Sequence, residues 1–502
     1  MSPKPAKSNR IASAIVLLRG QGPSLEVYLA ERAPQLRFFG GYHAFIGGVR
    51  EPIDGRDDAD GDDRTAMRNC ALRELFEETG VLVDADILAA TTPEQRAAVR
   101  RDLLDLETGT ERWNELLTHS SGDARLREFC RITTPPFAPV RYATAFFVAE
   151  LPAGQEPEIV SGELVGGGWW NAAAALEAWR RGEIQIVPPA LILLECLASG
   201  DVDRFCAEAK ARTDRYAAGE LHHVRFSPGV LLAPLETPTI PPATTTNCLL
   251  VGTESIWVID PASHDATEHE RLFAMCDELT RDGARIAGVL STHHHPDHVG
   301  GIAAVCRRYD VEVRAHEITL ARLPDGCPHG EPLADGDRID LGRAPDGSDG
   351  WELEALFTPG HDRGHLCFRE TRYGALVAGD MVSTISTIMI DPPEGHLATY
   401  VGSLERLAAL SIGTLYPAHG PAVREGNRVL DRFLTHRRAR EESLVAALAT
   451  GLGTIEELVP VVYSDTDPRM HAYASRSLRA GLDKLCEEGR ARQQGDRWSA
   501  IV

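Results

Sequence analysis

From Thr292 to Gly301 the chain reads Thr-His-His-His-Pro-Asp-His-Val-Gly-Gly, crowding imidazoles and a carboxylate into one short segment. Neutral imidazole and carboxylate are the ligands that a borderline divalent ion such as Zn²⁺ or Fe²⁺ prefers, and Asp297, two residues after His295, can serve a second ion beside the first. The chemistry implied is hydrolytic. Three further segments carry donors of the same kind: His361 with His365 four residues on, Asp380 in Ala-Leu-Val-Ala-Gly-Asp, and His419 in Tyr-Pro-Ala-His-Gly.

Each of these residues needs a rigid support. The apolar run Ile286–Leu290 reads as a buried strand that delivers His293 and His295 from its end, and Ala375–Ala378 and Leu415–Pro417 read the same way for Asp380 and His419. His361 follows an apolar run through Thr358-Pro359-Gly360, a tight turn. Polar residues beside glycine at strand ends are where layered α/β proteins build their sites. His294 points away along an extended chain and is not expected to be a ligand. His365 stays open between a structural and a substrate-contacting role.

At 502 residues the chain exceeds one hydrophobic core. The composition, 43% apolar and 25% charged, is that of a globular protein, and no apolar run approaches the roughly 20 residues of a membrane span. The ten cysteines form no C-x-x-C pair, which points away from a disulfide framework or structural zinc, and a cytoplasmic location is expected. With 52 basic against 74 acidic residues the net charge is −22, which disfavours nucleic acid as a partner. A small anionic substrate is expected instead, and the oligomeric state is left open.

Of three blocks, at about 11–198, 224–434 and 435–502, the second resembles the metallo-β-lactamase superfamily through Thr292–Gly301, Thr358–His361, Gly379-Asp380, His419-Gly420 and the opening strands Thr246–Gly252 and Val258–Asp260. That resemblance implies an αββα sandwich and a dinuclear site. One metal would sit on His293, His295 and His361, the other on Asp297, His298 and His419, with Asp380 bridging. Two Zn²⁺ (or Fe or Mn) would provide a metal-held hydroxide, and Asp297 would orient it and carry a proton. Segments around His361–His365, Tyr416–Pro421 and His436–Glu441 look most like the branch containing β-lactamase-like protein 2, which implies a winged-helix-like C-terminal domain. That domain lacks a basic footprint, so packing at the substrate entrance is expected of it. Arg437, Arg438 and Arg440 would either meet a phosphate or solvate a helix.

In the first block, Arg73-Glu74-Leu75-Phe76-Glu77-Glu78-Thr79-Gly80 places Glu74, Glu77 and Glu78 on one helical face, where oxygen ligands suit Mg²⁺, and Gly80 ends the helix. The string resembles the core of the Nudix box. Gly48 and Asp54 match its start, but an insert near Gly55–Thr65 separates Asp54 from Arg73. With Arg141–Phe147 and Val187–Leu191 the interrupted box looks similar to the branch that includes the peroxisomal coenzyme A diphosphatase, which implies a Nudix α/β/α sandwich and Mg²⁺ (or Mn²⁺)-dependent diphosphate cleavage. Arg73 and the three glutamates would be catalytic, and Gly48 and Asp54 substrate-binding.

The expected order is thus an α/β multidomain chain: a Nudix-like domain (1–200), a helical linker (201–223), a metallo-β-lactamase domain (224–434) and a winged-helix-like domain (435–502). The leading expectation is a metallo-hydrolase acting on a thioester or ester, with an acyl-coenzyme A as one candidate. The alternatives are an endoribonuclease and a first block that only binds or dimerises. β-Lactam hydrolysis is not expected, because no periplasmic signal is recognised.

Overall fold

The computed structural model describes residues 9–501 except 37–38, 56–61, 105–108, 121–125 and 161. Most of the expected insert after Gly55 therefore lies outside the described residues. The chain divides into two compact units, Met1–Pro228 and Gly229–Val502.

The first unit is built on strands β1 (Arg10–Arg19), β2 (Glu26–Arg32), β3 (His43–Ala44), β4 (Ile46–Val49), β5 (Arg127–Thr133), β6 (Tyr142–Glu150) and β7 (Leu164–Trp170). They form a mixed sheet in the order β3-β2-β1-β6-β5, with β4 pairing β1 and β7 pairing β2. Alternation along β1 shows why it is covered on both faces. Ala14, Val16 and Leu18 enter one core, and Ile15 and Leu17 the other. Helix α1 (Arg64–Thr79), with α2 (Ala85–Ala90), α3 (Pro93–Leu104) and α4 (Gly109–Leu117), contributes to the second core. Helices α5 (Ala172–Arg180), α6 (Pro188–Leu197) and α7 (Val202–Ala217) contribute to the first. The segment expected as a linker is thus part of this unit's fold. Phe205, Cys206 and Ala209 of α7 are buried in the first core, and the unit ends with β8 (Val224–Ser227).

In the second unit one sheet runs β13-β12-β11-β10-β9, from β9 (Val230–Glu236), β10 (Thr245–Val251), β11 (Ser255–Ile259), β12 (Arg285–Leu290) and β13 (Val313–Arg314). A second runs β14 to β19 in sequence order: β14 (Arg338–Gly342), β15 (Trp351–Phe357), β16 (Leu366–Glu370), β17 (Leu376–Gly379), β18 (Thr414–Pro417) and β19 (Val423–Arg424). Helices α8 (Ala266–Arg281) and α10 (Ile302–Tyr309) pack on β12, and the short helices α9 (Pro296–Val299) and α11 (Glu317–Leu320) sit in the loops. Helices α12 (Leu397–Ala408) and α13 (Gly426–Ala449) share a core with β15–β18.

The boundary expected at 434/435 falls inside α13. Its first half buries Val429, Leu430, Phe433 and Leu434 against the second sheet, while Leu444, Ala447 and Leu448 enter a separate small core. That small core is completed by α14 (Ile455–Val462), α15 (His471–Glu487) and the hairpin β20 (Ala491–Gln494)–β21 (Arg497–Ala500), through Leu458, Leu478, Leu482 and Trp498. No helix among the described residues is long and apolar enough to cross a membrane.

Candidate metal centre

Strand ends deliver the donors. The chain leaves β12 at Leu290, so His293 and His295 project from the loop before α9, whose first residue Pro296 presets the helical φ. Asp297 and His298 follow on α9 itself, His361 comes from the β15–β16 turn, Asp380 closes β17 and His419 closes β18. Gly379, at φ +48°, is required here: a Cβ would stand 2.6 Å from His365 Nε2 and 3.0 Å from Thr292 Cβ.

The donors converge as two groups. His295 Nδ1 lies 3.0 Å from both His293 Nε2 and His361 Nε2, near the roughly 3.3 Å that bonds to one tetrahedral zinc-like ion impose. Asp380 Oδ2 completes this group, 3.4 Å from His361 Nε2. The second group is Asp297, His298 and His419, with His419 Nε2 3.7 Å from Asp297 Oδ2. Asp380 turns its other oxygen to it, placing Oδ1 3.4 Å from His419 Nε2 and 3.6 Å from His298 Nε2. The carboxylate therefore stands between the two groups with one oxygen toward each.

A framework behind the donors sets the tautomer of four of the five imidazoles, those of His293, His298, His361 and His419. Asp260, at φ +48° just after β11, accepts from Thr292 N (2.8 Å), Thr292 Oγ1 (2.6 Å) and His298 Nδ1 (2.9 Å). Because Thr292 Oγ1 donates to Asp260, it accepts from His293 Nδ1 at 2.9 Å. His361 Nδ1 donates to Met389 O (3.0 Å) and His419 Nδ1 to Thr245 O (3.1 Å). Asn247 braces the His419 loop by donating to Pro417 O and Gly420 O. With Nδ1 so engaged, each of these rings turns Nε2 toward the donor groups.

The electrostatics fit a divalent pair. Burial, reinforced by neighbouring imidazoles, holds His293 well below its usual range and His295 down to about 3, so both imidazoles are neutral at pH 7. Burial opposes charge on His298, but the carboxylates of Asp380 and Asp260 outweigh it and push the imidazole up to about 10. Asp380, despite burial, is held below the carboxylate range by His419 and its other imidazole neighbours. The buried atoms His298 Nε2 and Asp380 Oδ1 have no hydrogen-bond partner. A cation in the second group answers both, and the donor set of imidazoles and carboxylates suits Zn²⁺, Fe²⁺ or Mn²⁺.

Several expected roles are corrected. His365 is fully buried, which favours the structural one of its two expected roles: its Nδ1 pairs with Thr358 Oγ1 (2.9 Å), and its Nε2 accepts from the backbone N–H of Asp380 (3.2 Å). Burial holds its pKa down to about 3, which keeps that nitrogen an acceptor. His294 Nδ1 lies 2.6 Å from a carboxylate oxygen of buried Asp362, and the two make a third small cluster with His295. Arg437 meets neither phosphate nor solvent. It is buried, donates to Ile388 O and stacks 5.0 Å from the Tyr400 ring centroid. Arg438 pairs loosely with Glu405, and Arg440 with Asp465 and Val462 O. Asp260 carried the same strand-end carboxylate signal as Asp380, yet sequence reasoning assigned it no role.

The first unit gathers Glu74, Glu77 and Glu78 on α1, which Gly80 ends at φ +73°. Arg73, expected to be catalytic, is 5% exposed along its side chain and is a positioning group. Its guanidinium binds Asp54 through Nε (2.8 Å) and Nη2 (2.9 Å), and also Val49 O, Glu74 and Glu77. Asp54, expected to bind substrate, is wholly buried in that pair. Gly48 contributes the lack of a side chain, because a Cβ would lie 2.3 Å from Glu74 Oε1. Burial raises Glu74 to about 7, raises Glu77, and lifts Glu78 well above the carboxylate range, and Glu78 Oε2 has no hydrogen-bond partner. Among the described residues the three carboxylates do not close into one ligand group as the histidine clusters do.

Known proteins match these segments. A family profile described as metallo-beta-lactamase superfamily matches residues 241–419, and one described as beta-lactamase associated winged helix domain matches residues 454–498. The chain is 29% identical over 275 residues to the lactamase-like protein adaB of Aspergillus niger, covering 51% of this chain and 81% of that one. It is 25% identical over 259 residues to the beta-lactamase-like protein 2 homolog of Drosophila melanogaster (49% and 84% covered). With the thioesterase pkgB of Emericella nidulans it shares 30% identity over 207 residues (41% and 54% covered). A solved NUDIX hydrolase from Alicyclobacillus acidocaldarius is 28% identical over 40% of this chain and 96% of its own, with a TM-score of 0.33. Residues 241–419 thus match the metallo-β-lactamase superfamily, and residues 454–498 match the winged helix domain associated with it.

Proposed function

We propose that the second unit hydrolyses a thioester or ester of a small anionic substrate, with a coenzyme A derivative as the chemical class. The first unit would cleave or hold the diphosphate portion by Mg²⁺ (or Mn²⁺)-dependent Nudix chemistry. The observation that carries the reading is Asp380, whose two oxygens face two separate donor groups as a bridging ligand must. The relative named as a thioesterase supports the substrate class.

When bound, two Zn²⁺ (or Fe or Mn) ions supply Lewis acidity, which lets water ionise near neutral pH and polarises the electrophile. The chain's residues do the rest. Asp260 and Thr292 keep His293 and His298 in the ligating tautomer, and Asp297, one-fifth exposed, has a carboxylate placed to take and return a proton. A thiol of ordinary pKa, about 8.5, leaves as thiolate with little help, so a thioester asks less acid catalysis of Asp297 than an alkyl ester does. In the first unit Glu74, Glu77 and Glu78 would hold Mg²⁺ against the phosphates while Arg73 fixes their helix face.

The test uses full-length protein, analysed for metal and offered acyl-coenzyme A, free coenzyme A, nucleoside diphosphate compounds and single-stranded RNA. Thioester cleavage is expected to disappear in His295→Ala and Asp380→Ala, and diphosphate cleavage in Glu77→Gln with thioester cleavage kept. Thioester cleavage surviving both metal-ligand changes sinks the two-cation reading. RNA cutting lost in those same variants replaces the substrate, and a wild type without diphosphate cleavage makes the first unit a binding module.

A further inference from the structure

The segment 388–396 lies between the metal centre and the C-terminal helices, and both sides grip it. On the inner side, Met389 O accepts from His361 Nδ1 (3.0 Å), and His396 N donates to Gly360 O (2.7 Å), next to that ligand. On the outer side, Arg437 of α13 donates to Ile388 O, and Ile390 N donates to Ser477 Oγ of α15 at 3.2 Å. Arg476 pairs with Asp391 at 2.7 Å, and Glu487 with His396 Nε2 at 2.9 Å. Ala480 of α15 enters the same core as Ile388, Ile390 and Tyr400. Residues 388, 390, 391 and 396 are thus held from the C-terminal helices, while 389 and 396 hold the turn that presents His361.

We propose that α13 and α15 position a metal ligand: they clamp residues 388–396 so that Met389 O fixes the tautomer and angle of His361, which makes the winged-helix domain an integral support of the first cation group. The inference rests on the two-cation reading above. It gives the C-terminal domain a role that needs no nucleic acid, and it makes Ser477, Arg476 and Arg437 positioning residues. Outer partners of metal ligands act on affinity and on which site is lost.

The experiment reconstitutes full-length protein with Co²⁺ and follows release of each ion to a chelator by its absorption bands, with His361→Ala marking the bands of the first group. In Ser477→Ala and in Arg476→Asp the ion of the first group is expected to leave about tenfold faster, the low end for outer-shell partners, with the second ion unchanged. The charge swap Asp391→Arg with Arg476→Asp is expected to restore the wild-type rate. Both ions leaving at wild-type rates overturns the inference, as does equal acceleration of both, which reports general loosening, or a swap that restores nothing. A wild type that takes up no Co²⁺ removes the two-cation reading and this inference together, whereas two tightly held ions indifferent to the variants remove the inference alone.

Discussion

Asp260→Asn is the sharpest perturbation of the metal centre, because it keeps the shape of a buried side chain and reverses the direction of its hydrogen bonds. The carboxylate accepts three bonds, one at Oδ1 from Thr292 N and two at Oδ2 from Thr292 Oγ1 and His298 Nδ1. An asparagine has one oxygen. If that oxygen keeps the Thr292 N–H, the amide N–H₂ confronts Thr292 Oγ1 and His298 Nδ1. Thr292 then accepts where it donated and can donate only toward His293 Nδ1, so the proton of that ring moves to Nε2. His298 is pushed the same way. One ligand in each cation group thus takes the wrong tautomer, whereas the opposite amide rotamer sets N–H against the Thr292 N–H. Hydrogen bonds to a charged group contribute about 1.5–3 kcal/mol each, so two reversed bonds bound the effect at roughly 3–6 kcal/mol. Shared between two ions, this matches the 10- to 100-fold loss per site, about 1.4–2.7 kcal/mol each, seen for outer-shell partners. Competition against a chromophoric chelator reads both affinities, and circular dichroism checks the fold. Two ions held at wild-type affinity in a folded Asp260→Asn protein would refute the tautomer argument, and loss of one ion alone would break the link through Thr292.

Two pH dependences follow. His298 has its folded pKa raised from 6.5 to about 10, so its contribution in metal-free protein is fully present below about pH 6.5 and is lost as pH rises through about 10. Chemical unfolding of metal-free protein should show stability falling between pH 7 and 10, by at most about 1.4 kcal/mol per pH unit, with that slope absent in His298→Gln; a flat wild-type profile contradicts the assigned charge. Glu74 is an acid with its folded pKa raised from 4.5 to about 7, so the folded state keeps a proton the unfolded chain has lost, and its contribution becomes unfavourable as pH climbs from 4.5 through 7. Mg²⁺ must displace that proton, so calorimetric affinity in the first unit should be at least about tenfold tighter at pH 8 than at pH 5.5 and absent in Glu77→Gln; equal affinity at the two pH values would show that Glu74 takes no part.

Local patterns reported elements well and long-range partners poorly, for a physical reason. Continuous apolar runs located β12, β17 and β18, because a strand covered on both faces is apolar at nearly every position. The donors were legible because a ligand needs its own chemistry at a strand end. What fixes their tautomers was not. Asp260 lies 32 residues from Thr292 and 38 from His298, and Met389 lies 28 from His361, so only the closed fold makes them neighbours. Charge also reads the same in sequence whether it is solvated or paired. Arg73 and Asp54 looked like site residues, and it is their burial against each other that makes them a brace. The misread linker had its signal available: Phe205, Ala209, Thr213 and Tyr216 recur at helical spacing, and that stripe is the face α7 buries. Helix α13 shows the deeper limit. A continuous 24-residue helix serves two cores, so the boundary between hydrolase and winged helix is a change of packing partner that no break in the sequence marks. Arg437 sits near that change, which is why a residue that reads as part of a basic surface run is buried beneath the segment holding a metal ligand.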